Sequence, residues 1–226
     1  CQGPQLAYRN GTMYSSYTAA SFARKLELAD RWGVRFEGAL TWAFEFEAAI
    51  QHGDNRATVL PSDVTDLDHR AWFTHLEYVR NFAGNWRPQL ILRIDYASGD
   101  DDPDDGEWNR FDTLFGARRW EFGVTGIYGA LARSNILSPG IGLRLKPRPS
   151  FDLRFDYRPA WLASDRDFMP TAGLRDRDGN SGSFIGHQLE LRWRWTPGSS
   201  NISVDVSRSE EHTSELQSQF RISYAV

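Results

Sequence analysis

The chain has 226 residues, with 26 Lys and Arg against 30 Asp and Glu, a net charge of −4, and a single cysteine, Cys1. No run approaches the ~18–20 consecutive apolar residues of a spanning helix. The acidic balance argues against a nucleic-acid binder, and one cysteine excludes a disulfide framework and a Cys-based metal site. The aromatic share, 14% from 9 Trp, 8 Tyr and 14 Phe, is high for so polar a chain. A β-barrel in an outer membrane combines both properties, through an apolar belt, aromatic girdles and a wet interior.

The chain opens without an initiator Met and without a signal peptide, so residues 1–20 read as the remnant of a truncated strand or loop. Strands are expected at 21–29 and then at 34–50, where Phe36, Leu40, Trp42, Phe44 and Phe46 stand opposite Arg35, Glu37, Glu45 and Glu47. Successive strand side chains point to opposite faces, so such a segment is a ribbon with one greasy and one charged side. Further strands follow at 69–82 and 89–98, the latter with Leu90, Leu92, Ile94 and Tyr96 set against Arg93 and Asp95. A strand is expected from about 134 to 146, carrying Arg144. The next, 151–164, alternates Phe151, Leu153, Phe155 and Tyr157 with Asp152, Arg154, Asp156 and Arg158. Strand 184–196 sets Leu189, Leu191, Trp193 and Trp195 against Gln188, Glu190, Arg192 and Arg194, and a truncated strand follows at 201–207.

A soluble antiparallel sheet alternates as well, but here strand after strand does so and no apolar helix remains to cover the greasy faces. Link lengths add a second argument. Short links rich in Gly, Pro, Asn or Ser fall at 30–33, 83–88, 147–150 and 197–200, and long polar links at 51–68, 99–133 and 165–183. Short and long links alternate, as they must when strands run up and down with tight turns at one end. The same parity requires an odd number of strands between the loop at Gly99 and the turn at Pro147, and one is assigned. The fold class is therefore all-β: an antiparallel up-and-down transmembrane β-barrel. It is partial, and on its own an open, curved sheet, because two unpaired edges cannot persist in hydrocarbon.

Enzyme chemistry is missing: no Gly-rich phosphate loop, HExxH, GxSxG or CxxC occurs. The acidic runs Asp100–Gly106 and Asp176–Asn180 do not place acids at loop positions 1, 3 and 5 with Gly at 6, so they read as solvated loop tips, an adventitious divalent ion being the alternative. His52, His69, His75 and His187 lack ligand spacing. No catalytic residue, metal site or cofactor is assigned. What remains is the charged face. Arg93, Arg144, Arg154, Arg158, Arg192 and Arg194 alternate with Asp95, Asp152, Asp156 and Glu190, so that in a barrel lumen carboxylates hold guanidinium groups toward the channel. Such a lumen focuses positive potential for anionic solutes; structural salt-bridge ladders in any wet barrel are the other reading. Trp108, Phe111, Phe115 and Trp120 cluster in the polar 99–133 link and mark it as a candidate gating loop.

Two resemblances complete the reading. Residues 208–226 resemble the in-frame translation of a short-read sequencing adapter, with Arg208–Ser218 and Ile222–Val226 as its fixed segments around a variable Gln219–Arg221, and are set aside as a non-native tail. Residues 95–100 (Asp-Tyr-Ala-Ser-Gly-Asp), 111–116 (Phe-Asp-Thr-Leu-Phe-Gly), 126–129, 133–135, 138–140, 161–165 and 186–194 resemble the alginate-export outer-membrane family. That resemblance implies a monomeric barrel of eighteen strands in a Gram-negative outer membrane, of which 21–207 supplies about eight at the C-terminal end. It further implies an anionic polysaccharide, alginate-like, passing an arginine-rich constriction, with outer-membrane lipid around the barrel and periplasmic export components as partners. Arg192 and Arg194 are the positions it carries over best. A general porin for small solutes is the alternative function, and a soluble β-sheet binding module a third.

Overall fold

Alternation on a period of two produces strands with unlike faces, and the computed structural model of the chain is built of little else. It describes residues 8–9, 12–13, 31–38, 41–56, 65–102, 104–112, 122, 131–169, 172–196, 203–212 and 216–225. In chain order the strands are β1 (Tyr8–Arg9), β2 (Thr12–Met13), β3 (Arg31–Gly38), β4 (Trp42–Arg56), β5 (Asp66–Asn81), β6 (Gln89–Ala97), β7 (Glu107–Trp108), β8 (Ile136–Arg148), β9 (Phe151–Trp161), β10 (Phe184–Trp195), β11 (Ser203–His212) and β12 (Leu216–Ala225). Among the described residues, β1 and β2 pair only with each other. The rest form one sheet in the order β12-β11-β10-β9-β8-β6-β5-β4-β3, each pair antiparallel, with the two-residue β7 lying parallel to β5. The path ends at β3 and β12, so the sheet is open. An all-β, up-and-down meander was expected, and this is one.

Most boundaries fall within a few residues of those expected, with three departures. The expected strand 34–50 is two antiparallel strands, β3 ending at Gly38 and β4 beginning at Trp42. In the hairpin register Gly38 faces Trp42 and Phe36 faces Phe44. Even positions therefore pair with even ones, and the alternation passes through the turn undisturbed. Residues 31–33 of the link expected at 30–33 belong to β3; the strand expected at 21–29 lies outside the described residues. Second, β4 and β5 reach well into the link expected at 51–68, with Arg56 opposite Asp66. Third, pairing does not stop at Ser207: β11 runs to His212, and β12, which was not expected, pairs with it inside the segment set aside as a tail. Ser209 and Glu211 stand opposite Glu190 and Gln188, because the edge of β10 offers backbone groups that pair with whatever chain follows, irrespective of side-chain pattern.

Burial is inverted relative to a soluble sheet. Asp95 is 0% exposed, Arg158 4% and Glu190 3%, while Ile141, Phe155 and Leu191 are 46%, 44% and 52% exposed. Described residues of the 98–135 link cover part of that face: Phe122 lies against the Arg158 guanidinium, and Phe111 against Phe73. Phe111, Phe122, Leu131 and Ala132 of that link join Ala49, Ala71, Phe73, Ala97, Ile136 and Ala160 of the sheet in a small apolar cluster at the end where the long links lie.

Candidate functional site

The site grows from β8. On its charged face β8 presents Ser138, Gly140 and Gly142, while β6 and β9 on either side present Arg93 with Asp95 and Asp156 with Arg158. Adjacent strands are ~4.8 Å apart, so β6 and β9 groups meet only if nothing on β8 stands between them. A Cβ at Gly142 would lie 2.8 Å from Asp156 Oδ1, and one at Gly140 would lie 3.0 Å from Arg93 Cγ. Through this gap the Arg158 Nη1–H donates to Asp95 Oδ2 at 2.7 Å, and Arg93 Nη2 lies 3.0 Å from Asp156 Oδ1.

Each carboxylate serves more than one partner. Asp95 Oδ1 also lies 2.7 Å from His75 Nδ1. Asp156 accepts from Arg154 Nε at 2.7 Å and Nη2 at 3.2 Å, and Arg93 Nε is 3.5 Å from Glu77. Four of the residues expected in the lumen thus fall into two adjacent groups: Asp95 with Arg158 and His75, and Asp156 with Arg93 and Arg154. Arg144 makes its own contact with Asp152 nearer the tight turns, its Nε donating at 2.9 Å to each oxygen. On β10, Glu190 faces Asp156 and accepts from Gln188 Nε2 at 2.9 Å, Arg192 faces Arg154, and Arg194 faces Asp152. All nine expected residues share this face.

At the loop end the face is closed over. Gln51 on β4 donates to the Asp112 carbonyl at 2.6 Å and accepts the Asp112 amide at 2.9 Å, so one side-chain amide holds the link as a neighbouring strand would. Phe111 packs on Phe73 with ring centroids 5.5 Å apart. The Arg133 guanidinium lies over Phe73 at 4.5 Å and 3.4 Å from Glu47, and Arg158 lies under Phe122 at 4.9 Å. Trp108 is held by its carbonyl, 2.6 Å from His69 Nδ1. Phe115 and Trp120 lie outside the described residues.

Three loop ends meet beyond this lid. Asn135 is fully buried at φ 45. Its Nδ2 donates to the carbonyls of Ser164 and Phe168 at 3.0 Å each, and its Oδ1 accepts the Ser164 amide at 2.7 Å. Gly99 is obligatory there, since a Cβ would fall 2.1 Å from Asn135 Oδ1. The Asp100 amide donates to Asp167 at 3.1 Å, whose other oxygen accepts Arg110 at 3.1 Å. Burial, with the Asp167 carboxylate beside it, pushes the Asp100 carboxyl up to about 6, against the pull of Arg175. In the 176–180 turn the Asp176 carboxylate accepts the Ser181 hydroxyl and amide, which hold it below the usual range; its oxygens serve its own turn.

The inward carboxylates Glu47 and Glu77, with His75, belong to the site by the same parity that marked Asp95, and that signal was legible. Gln51, Asn135 and Arg133 were not, because their roles depend on chain returning from 29 to 86 residues away.

The family profile described as alginate export matches residues 10–210. No curated protein matches the chain.

Proposed function

Because the chain belongs to the alginate-export family, we propose that it is part of an outer-membrane channel of a Gram-negative bacterium, whose charged face lines a hydrated lumen passing an extended anionic polysaccharide. The observation that carries this reading is the inverted burial: ionised side chains inside, Ile, Leu and Phe outside. Water cannot be the solvent of that outer face without a large exposed apolar patch, whereas lipid can.

The outer face has the dimensions the reading needs. Phe151 stacks near Trp193 and Trp195, with centroids 6.1 and 6.3 Å apart, close to the tight turns. Trp161 packs on Phe184 at 5.5 Å, and Trp72 stacks on Tyr96 at 4.3 Å, near the long links. Phe151 and Trp161 bound one strand of 11 residues. At ~3.3 Å per residue and a tilt of ~35–45° that separation spans roughly 25 Å of membrane normal, the height of the apolar band between aromatic girdles.

Inside, a guanidinium carries five donors, more than one carboxylate contact uses, so arginines fixed by Asp95, Asp152 and Asp156 still present donors to a passing carboxylate. The carboxylates keep the positive potential from becoming a trap, and passage is passive, without catalysis. The barrel acts as a monomer surrounded by outer-membrane lipid and receives polymer from periplasmic export components. The 98–135 link, laid over the charged face by Gln51 and Phe111, gates it. Residues 208–226 contribute nothing native to this channel; resequencing the gene beyond Ser207 checks that.

A general porin for small solutes is favoured by one observation, the near-complete matching of Arg93, Arg144, Arg154 and Arg158 with carboxylates. Single-channel recording of the full-length barrel separates the two. An exporter is blocked by alginate oligomers and not by neutral dextran, and Arg192→Ala with Arg194→Ala weakens the block; a porin shows no preference for the charged polymer.

A further inference from the structure

The cations inside the sheet are matched, and those at the tight-turn end are not. Arg93, Arg144, Arg154 and Arg158 each lie against a carboxylate. Past Arg144 on β8 come Lys146 and then Arg148, both exposed, as is Arg87 in the β5–β6 turn. Among the described residues none of these three has an ion-pair partner. The two turns are joined, because the Lys146 amide donates to the Trp86 carbonyl at 2.6 Å. Trp86 is 55% exposed, and among the described residues no ring or guanidinium packs on it. Its backbone is strained as well. Trp86 and Arg87 take φ values of 72 and 44, a left-handed pair that costs a bulky residue far more than it costs glycine. Strain of that kind at an exposed indole points to a use for the ring.

An indole face beside unmatched cations suits a ligand that carries both a sugar ring and a negative charge. The C–H bonds of a pyranose ring hold the partial positive charge that the electron-rich face of an aromatic attracts, and guanidinium and ammonium groups bind carboxylates. A uronate unit of an anionic polysaccharide has both on one ring. We propose that Trp86, with Arg87, Lys146 and Arg148, is an entry subsite for the anionic polysaccharide, on which one uronate stacks and is held by its carboxylate before the chain passes on to Arg144. The proposal rests on the channel reading, in which the short turns lie on the periplasmic side. The other end has the opposite character, with Asp101, Asp102, Asp104 and Asp105 exposed there. The polymer thus meets cations where it enters and carboxylates where it leaves, which favours outward release.

The test is single-channel recording of the full-length barrel, with alginate oligomers added to one side and then to the other. Block sets in at a lower concentration from one side. Trp86→Gly removes the ring and suits a backbone at φ 72. It raises the half-blocking concentration about tenfold from that side, the loss expected of one aromatic contact, and leaves the other side unchanged. Its heat-modifiable migration stays at or above the wild-type temperature, so the loss is not one of folding. Trp86→Tyr keeps most of the block, and Arg87→Gln with Arg148→Gln weakens it. Block by oligoglutamate, which has the carboxylates without the sugar ring, falls with the arginine pair and is unmoved by Trp86→Gly. Alginate block equal from both sides, or unchanged in Trp86→Gly, overturns the proposal. So does an equal loss of oligoglutamate block, which would mean charge alone, or a Trp86→Gly barrel altered only by a lower migration temperature, the sign of a membrane anchor. A full-length protein that opens no conductance instead overturns the channel reading beneath it.

Discussion

Asp95 on β6 and Arg158 on β9 have a whole strand between them and still bond at 2.7 Å, with 0% and 4% of their side chains exposed. The bond crosses β8 where β8 has almost no side chains, at Ser138, Gly140 and Gly142. The pairings Asp95–Arg158 and Arg93–Asp156 both cross β8 and so are not ladders between neighbouring strands, and removing one member of a pair leaves its partner buried.

Arg158→Ala leaves the Asp95 carboxylate buried with only His75 beside it. The cost expected for breaking a buried pair is ~3–5 kcal/mol. Urea unfolding of the full-length barrel in vesicles measures it, and Asp95→Asn in the same background recovers part of the loss.

Gly99→Ala drives a Cβ to 2.1 Å from Asn135 Oδ1 and 3.0 Å from Ser164 Cβ. Overpacking of this kind costs ~1–3 kcal/mol. It falls on the loop junction and not on the sheet, so limited proteolysis within 100–112 accelerates while the strands stay protected. Gly142→Ala, with its 2.8 Å contact to Asp156, has the opposite signature: intact loops and a disturbed lumen network.

The junction also responds to pH. The Asp100 carboxyl titrates at about 6 in the folded chain against 3.8 ordinarily, because of burial first and Asp167 second. The folded state thus holds the proton more tightly, and the resulting stability is fully present below about 4 and lost as pH rises through about 6. Hydrogen exchange of the 98–110 segment is slower at pH 5 than at pH 7.5, and Asp100→Asn flattens that difference.

Removal of the 98–135 link, leaving a short turn between β6 and β8, uncovers Arg158 and Glu47 and raises bilayer conductance of the full-length barrel. Gln51→Ala, which deletes the two bonds to Asp112, raises the frequency of open events without changing the largest conductance. An unchanged conductance after removing the link contradicts its gating role.

Faces were legible in the sequence because the side-chain period of a strand is two and does not depend on what the strand packs against; Phe151–Arg158 shows it without a fault. The β3–β4 turn was not legible, for a reason internal to the same rule: a hairpin that pairs Gly38 with Trp42 conserves parity, so alternation carries no trace of it. Arg93 and Asp156 could be placed on one face, but not joined, since their contact depends on the absence of a side chain on a third strand. The loop lid was hidden further, because Gln51 acts as a substitute for backbone and no pattern marks that. Asn135 and Gly99 stood inside the segments that carry the family resemblance, and the structure supplies the physical reason: each fits only with the other.

In the channel, the charged face meets water and the apolar face meets lipid. Single cysteines placed in turn at residues 152 to 155 of β9, in the full-length barrel with Cys1 replaced and reconstituted in vesicles, distinguish the two faces. A membrane-impermeant maleimide is predicted to label Asp152→Cys and Arg154→Cys and to spare Leu153→Cys and Phe155→Cys. Labelling of all four alike, or of the apolar positions alone, contradicts the account.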